Sequence, residues 1–214
     1  MLFEAVMLKI LGRTTSINVR KVLWAAQEAQ LPFIHEPQWG DELSLKSADY
    51  LKLNPNGLVP VLTHENGILW ESNTICRYIA TKAQRFDLLP ESPEEKADVE
   101  KWMDWQATEL NSAWRAAFMA LVRKSDSFIQ YPELIAKSTD EWNSKMLLLE
   151  AELEKNGNFI NGKQFTVADI TLALSIHRWL LTPIIRPNTP AISQYYQQVL
   201  TRPAAKLYLD PNIP

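Results

Sequence analysis

Residues 54–62 read Asn-Pro-Asn-Gly-Leu-Val-Pro-Val-Leu, and the local structure of this stretch can be predicted in detail. The first four residues predict a tight turn, because each of these residue types favours a turn conformation. The apolar run that follows predicts a short strand over 58–63. Val59 precedes a proline, which disfavours helical geometry at Val59 and keeps it extended. The stretch therefore predicts a turn that leads into a proline-containing strand.

The segments on both sides of this stretch alternate between strand and helix patterns. A Glu-Asn-Gly turn at 65–67 predicts a hairpin with the next strand, and Ser72 is a predicted helix cap. The predicted elements are a strand over 5–11, a helix over 16–31, a strand over 33–38, a helix over 46–53, strands over 58–63 and 68–70, and a helix over 72–82. This order predicts an α/β domain.

The character of the chain changes after Phe86. A segment with two prolines, Leu-Leu-Pro-Glu-Ser-Pro at 88–93, predicts a stiff linker. Everything beyond it shows helical spacing of apolar residues, beginning with a long helix over about 95–124. The sequence therefore predicts a first domain over 1–86, a linker over 87–94 and an all-helical domain over 95–214.

Composition excludes several classes of function. Lys and Arg total 22 and Asp and Glu total 25, so a net charge of -3 gives no support for binding nucleic acid or an anionic membrane. A single cysteine, Cys76, excludes an internal disulfide and every zinc site that needs two cysteines. The three histidines form no ligand cluster, so no metal is predicted. The N-terminus lacks a signal-peptide pattern and no stretch reaches ~18 apolar residues, so we expect a cytoplasmic protein with no membrane contact.

Four motifs, in order and at characteristic distances, resemble the glutathione transferase superfamily, most closely its bacterial theta-like and nu-like members. They are Ser-Ile-Asn-Val-Arg-Lys-Val at 16–22, residues 54–62 above, Glu-Ser-Asn-Thr-Ile-Cys-Arg-Tyr at 71–78 and Phe-Thr-Val-Ala-Asp-Ile at 165–170. The resemblance covers essentially the whole chain. It implies a thioredoxin-like N-terminal domain, an all-α C-terminal bundle with the second-substrate site, glutathione as co-substrate, and a homodimer.

The resemblance also implies a glutathione site in the first domain. A cis Val59–Pro60 bond would direct the backbone of Val59 at an extended tripeptide, whereas alone Pro60 is an ordinary edge-strand proline. Glu71 would bind the ammonium of the γ-glutamyl group, and Ser72 would bind its carboxylate at a helix N-terminus. Ser72 capping its helix is compatible with that role.

Aligned with the family's first helix, Ser16 takes the place of the thiol-activating hydroxyl, and Asn18 supports it. Lowering a thiol pKa from about 8.5 to 6.5 needs roughly 2.7 kcal/mol. One hydrogen bond to a charged sulfur supplies about 1.5–3 kcal/mol, so one hydroxyl is sufficient. Thr14 and Thr15 are rivals in the same loop, and Ser16 as a simple helix cap is the alternative.

The sequence also departs from other family patterns. The first strand and loop contain no tyrosine, and Thr15 stands near the place of the beta-type cysteine. No Cys-x-x-Cys exists, and Cys76 is interpreted as a small core residue. Leu58 replaces a Gln or Lys that contacts glutathione in many relatives. The reactive sulfur must therefore arrive with the substrate.

A second-substrate pocket is expected between the domains. Trp105, Trp114, Arg115 and Met119 on the long helix offer aromatic and apolar lining with one fixed charge, which suits an electrophilic organic molecule. The alternative is a core position for the tryptophans and a surface ion pair for Arg115.

The sequence thus predicts an enzyme that activates the glutathione thiol for attack on electrophilic small molecules, as in detoxification. Two alternatives remain open: a glutathione-dependent disulfide reductase or peroxidase of the nu type, and a non-catalytic transferase-like interaction module.

Overall fold

A computed structural model describes residues 7–214. The chain forms two compact units, with the division between Pro90 and Glu91. This division lies within residues 87–94. Each unit has its own architecture.

Over residues 7–90, the first unit is a four-stranded mixed sheet with three helices. In chain order its elements are β1 (Leu8–Leu11), α1 (Ile17–Glu28), β2 (Phe33–Glu36), α2 (Ala48–Leu53), β3 (Val61–His64), β4 (Gly67–Trp70) and α3 (Ser72–Lys82). The strand order is β2-β1-β3-β4. β1 is parallel to β2, and β3 is antiparallel to both β1 and β4. This arrangement confirms the α/β prediction.

The starts of β1 and β3 differ from the predicted ones by three residues each, and β4 begins at Gly67, one residue before its predicted start. β1 begins at Leu8, and residues 5 and 6 of the strand predicted over 5–11 lie outside the described part of the chain. β3 begins at Val61 rather than at residue 58. The reason is that Pro60 has no N–H to donate to a neighbouring strand, so regular pairing starts after it. The predicted hairpin between β3 and β4 is confirmed.

The second unit is entirely helical in its regular structure. Its elements are α4 (Pro93–Trp105), a π-helical segment (Gln106–Leu110), α5 (Asn111–Leu121), α6 (Asp126–Ile129), α7 (Pro132–Asn156), α8 (Val167–Leu181), α9 (Pro190–Leu200) and α10 (Ala205–Tyr208). Residues Val167–Trp179 of α8 are all buried, so this helix is the centre of the second unit's core. No helix within residues 7–214 is long and apolar enough to cross a membrane.

The predicted continuous helix over 95–124 is interrupted and ends earlier. The π-helical segment inserts between α4 and α5, and α5 ends at Leu121. Gln106 at its start is fully buried, and its side-chain Nε2 donates to Asn111 Oδ1 at 2.8 Å. A wider turn lets this buried polar side chain reach a partner one turn further along the helix.

Candidate active site

Hydrogen bonds that involve backbone carbonyl groups hold the loop between β1 and α1 in place. Arg13 donates its N–H to Trp39 O at 3.0 Å and its Nη1 to Gly40 O at 2.6 Å. The His35 ring Nε2 lies 2.8 Å from Gly12 O. These contacts fix the backbone that leads into α1 and therefore the position of the residues that follow the loop.

Ser16 is the N-cap residue of α1, but its side chain does not act as a cap. The backbone is extended at φ −85° and ψ 120°, and the hydroxyl makes no capping hydrogen bond. The helix start uses the backbone instead, since Ser16 O accepts from the N–H groups of Val19 and Arg20. The helix-cap alternative is therefore wrong. The half-buried hydroxyl makes no hydrogen bond within the described chain and is available to a ligand.

The Val59–Pro60 bond is cis, and the backbone before it is fixed by two donors. Leu58 O accepts from Tyr50 Oη at 2.9 Å and from Asn54 Nδ2 at 2.8 Å. Burial raises the pKa of Tyr50 to about 12, so its hydroxyl remains a donor at neutral pH. Neither the N–H nor the C=O of Val59 hydrogen bonds to any residue in the described range 7–214. The backbone of Val59 thus has no partner within this range, and it follows a turn that side-chain hydrogen bonds hold in place.

Tyr50 and Asn54 were not identified as contributors to this site from sequence. A signal for Asn54 exists in the Asn-Pro-Asn-Gly turn, because asparagine side chains commonly bond to backbone groups two residues ahead. The structure has that bond, from Asn56 N–H to Asn54 Oδ1 at 3.0 Å. No local pattern points to Tyr50.

The start of α3 differs from its prediction. Glu71, not Ser72, is the N-cap residue, and it has the unusual backbone angles φ 72° and ψ 107°. Such angles are costly for a residue with a Cβ, and they occur mostly where function requires them. The Ser72 hydroxyl reaches across to α1 and donates to Asn18 Oδ1 at 3.3 Å. The predicted capping role of Ser72 is therefore wrong, and two predicted site residues, Asn18 and Ser72, are in contact.

Cys76 is a buried core residue and not a nucleophile. Burial raises the pKa of its thiol to about 12, although the nearby charge of Lys21 lowers it in part. The thiol is therefore protonated at neutral pH, and the thiolate is the reactive form.

Trp114 lies in an aromatic cluster of the second unit. Its ring is 5.3 Å from that of Phe118 and 6.3 Å from that of Trp142, and Nε1 donates to Asn111 Oδ1 at 3.0 Å. The guanidinium of Arg178, which is only 4% exposed, lies 4.6 Å from the Trp114 ring centre. Sequence reasoning did not identify Arg178, because a cation on a buried helix gives no local signal.

The other predicted second-substrate residues are spread along the same helical segments. Trp105 is half-buried and packs edge-on against Trp102, with ring centres 5.4 Å apart. Met119 is half-buried and Arg115 is exposed. Trp105 thus contacts Trp102 rather than Trp114. Within residues 7–214 no three His, Cys, Asp or Glu side chains group together as a metal site.

The first unit is a thioredoxin-like domain with a cis-proline loop beside two helix N-termini, and an all-helical unit follows it. The family model described as "Glutathione S-transferase, N-terminal domain" matches residues 15–82. The family model described as "Glutathione S-transferase, C-terminal domain" matches residues 124–212. These matches cover the helix starts, the cis-proline loop and most of the helical unit.

Similar proteins agree with the domain matches. Glutathione S-transferase GstB of Escherichia coli strain K12 is 37% identical over 203 residues, which are 94% of this chain and 96% of that protein. The glutathione-bound theta class glutathione S-transferase of Xanthomonas axonopodis pv. citri is 32% identical with a TM-score of 0.88, covering 96% of this chain and 98% of that one. Elongation factor 1-gamma 3 of rice is 27% identical over 88% of this chain but only 45% of its own length. The chain belongs to the glutathione S-transferase family.

Proposed function

We propose that this protein is a glutathione transferase in which the Ser16 hydroxyl activates the glutathione thiol for attack on electrophilic small molecules. In the reaction the thiol loses its proton to solvent, the sulfur forms a bond to an electrophilic carbon, and the leaving group departs with its electron pair. Glutathione is the co-substrate, and no step needs a metal.

The observation that supports Ser16 most strongly is its unused hydroxyl at the start of α1. A hydroxyl that caps its own helix would give up that bond before binding sulfur, whereas this hydroxyl has none to lose. One hydrogen bond to a thiolate stabilises it by about 1.5–3 kcal/mol, and the helix N-terminus adds about 0.3–1 kcal/mol. Together these terms lower the thiol pKa by roughly 1–3 units. Thr14 and Thr15 remain the rivals.

The remaining glutathione contacts are proposed for residues of the first unit. The free N–H and C=O of Val59 pair with the cysteinyl backbone of the tripeptide as an added strand. Glu71 binds the γ-glutamyl ammonium, and the Ser72 N–H and hydroxyl bind the γ-glutamyl carboxylate at the N-terminus of α3. Asn18 supports this site. Residues 1–86 thereby form the glutathione-binding domain.

The electrophile is proposed to bind to the helical domain, residues 95–214. Trp105, Trp114 and Met119 are half-buried and supply apolar surface, and the exposed Arg115 supplies a charge for an anionic leaving group or a developing negative charge. We further propose that the protein is cytoplasmic and that it forms a homodimer. Light scattering coupled to size exclusion would test the dimer.

Two assays on one preparation test the proposed function. Conjugation of chloro-dinitrobenzene, in which sulfur displaces chloride, is expected to dominate over reduction of hydroxyethyl disulfide. Dominant disulfide reduction would instead support the nu-type reductase. If neither activity occurs and calorimetry detects no glutathione binding, the protein is a non-catalytic module and the proposal is wrong.

A further inference from the structure

Two polar contacts connect α1 to α3 close to the helix starts. The Ser72 hydroxyl donates to Asn18 Oδ1 at 3.3 Å, and Lys21 Nζ donates to Asn73 Oδ1 at 3.2 Å. Asn18 and Lys21 are one turn apart on α1, and their partners are successive residues on α3. Lys21 is only 1% exposed, so this second contact is part of the packed interface between the two helices.

We propose that Asn18 is a positioning residue that holds the Ser72 hydroxyl for the γ-glutamyl carboxylate, and that it does not act on the thiol. This inference rests on the proposed function and specifies how Asn18 contributes to it. The Asn18 side-chain oxygen already has a partner in Ser72, whereas the Ser16 hydroxyl has none in the described chain. The geometry therefore assigns Ser16 to the cysteinyl thiol and Asn18 to the neighbourhood of the γ-glutamyl carboxylate.

The chemistry of an amide suits this task. A serine hydroxyl has one proton to donate and two lone pairs that accept, and an asparagine side chain has both an acceptor oxygen and a donor NH₂. Asn18 accepts the Ser72 proton in the present arrangement, and its side-chain nitrogen hydrogen bonds to no described residue. When a bound carboxylate accepts the hydrogen bond from the Ser72 hydroxyl, a rotated amide of Asn18 donates to Ser72 Oγ instead. An aspartate can only accept, and it adds a negative charge beside the bound carboxylate.

Steady-state kinetics and thiol titration of purified full-length variants test the proposal. Asn18→Ala should raise the KM for glutathione about 5–10-fold, as expected for one lost hydrogen bond, with kcat and the pKa of the bound thiol unchanged. Asn18→Asp should raise KM further than Asn18→Ala. The double variant of Asn18→Ala and Ser72→Ala should have a KM within about twofold of Ser72→Ala alone, because both changes remove one shared interaction. Thr74→Ala, at an exposed position in the first turn of α3, is the control and should change nothing.

Three outcomes would overturn the inference while leaving the proposed function intact. They are a raised thiol pKa in Asn18→Ala, an unchanged KM in Asn18→Ala, and KM effects that multiply in the double variant. Asn18→Ser provides a second small substitution if the alanine variant does not fold, and it is expected to raise KM in the same direction. If the wild type itself does not bind glutathione in calorimetry, the proposed function and this inference both fail.

Discussion

Gly12 and Val59 approach each other so closely that no side chain fits between them. A Cβ on Gly12 would lie 2.8 Å from the Val59 Cβ and 2.6 Å from Val19 Cγ2, and Gly12 has φ +139°. The loop before Ser16 is thereby packed directly against the residue whose backbone is proposed to pair with glutathione. The position of one part of the site therefore depends on the position of the other.

Gly12→Ala should displace Val59 and also lower the free energy of unfolding. Overpacking of this kind costs about 1–3 kcal/mol of unfolding free energy, and the shifted Val59 backbone should raise the KM for glutathione several-fold. Denaturant unfolding and initial-rate kinetics measure the two effects. Gly67→Ala is the matched control, because Gly67 also has a positive φ, +149°, but has nothing within 4 Å of its Cβ position. Equal effects of the two substitutions would mean that backbone strain, not contact with Val59, is the cause.

Two substitutions at Glu71 separate the effect of its charge on glutathione binding from the effect of its strained backbone on stability. Glu71→Gln keeps the side-chain shape but removes the charge, so the KM for glutathione should rise about 10-fold as an ion pair with the γ-glutamyl ammonium is lost. Glu71→Gly should raise KM at least as much, while relief of a strained φ offsets the entropy cost of glycine, so that stability changes by less than about 1 kcal/mol.

The control for strain relief is Gln84→Gly, since Gln84 also has a positive φ, 54°, and lies after α3, outside the proposed site. It should leave KM unchanged. A wild-type KM in Glu71→Gln would refute the proposed role of Glu71.

Asp169 is predicted to make stability depend on pH. Its carboxylate accepts from Ile160 N–H at 3.0 Å and from Thr166 N–H at 2.8 Å, yet burial outweighs these bonds and raises its pKa to about 6. A carboxyl with a raised folded-state pKa contributes stability that is fully present below its unfolded pKa, near 4, and is lost as pH rises through about 6.

Asp169→Asn removes this titration. The unfolding free energy of the wild type relative to Asp169→Asn should therefore fall by roughly 2–3 kcal/mol between pH 4 and 7, measured by denaturant unfolding at each pH. Asp140→Asn, at an exposed position on α7, should show no such trend. A wild type that gains stability over Asp169→Asn as pH rises would show that the hydrogen bonds outweigh burial.

Arg115 is exposed, so its substitution should affect catalysis without affecting folding. Arg115→Ala should raise the KM of chloro-dinitrobenzene or lower kcat by about 3–10-fold, and Arg115→Lys should recover part of the loss by keeping the charge. Lys137→Ala, another exposed cation on the helical unit, serves as the control. Unchanged kinetics in Arg115→Ala would leave Arg115 as an ordinary surface residue.

The sequence predicted well those features that depend on local chemistry. The Asn-Pro-Asn-Gly turn, the β3–β4 hairpin and the helical second unit were all recognised from turn residues and apolar spacing. The contact between Ser72 and Asn18 was not, because it joins residues 54 positions apart and needs the packing of α1 on α3. Serine is a residue type that commonly caps helices, and only the fold shows that the Ser72 hydroxyl donates to Asn18 instead.

In the helical unit, too, contacts between residues that are distant in sequence could not be predicted. Apolar spacing placed Trp114 on a helix. Arg178, which lies over the Trp114 ring, is 64 positions away in sequence and belongs to another helix. The π-helical segment between α4 and α5 begins at Gln106, whose buried side chain hydrogen bonds to Asn111. Sequence spacing marks Gln106 only as a polar residue in an apolar stripe.

The pKa of the glutathione thiol when bound to the enzyme tests the central claim most directly. Thiolate absorbance is titrated in the wild type, Ser16→Ala and the neighbouring Thr14→Ala. The wild type should hold the thiol pKa at about 6.5, Ser16→Ala should raise it by roughly 1–2 units and lower kcat, and Thr14→Ala should leave it unchanged. A Ser16→Ala variant with the wild-type thiol pKa would contradict the account and transfer the role to Thr14, Thr15 or Asn18.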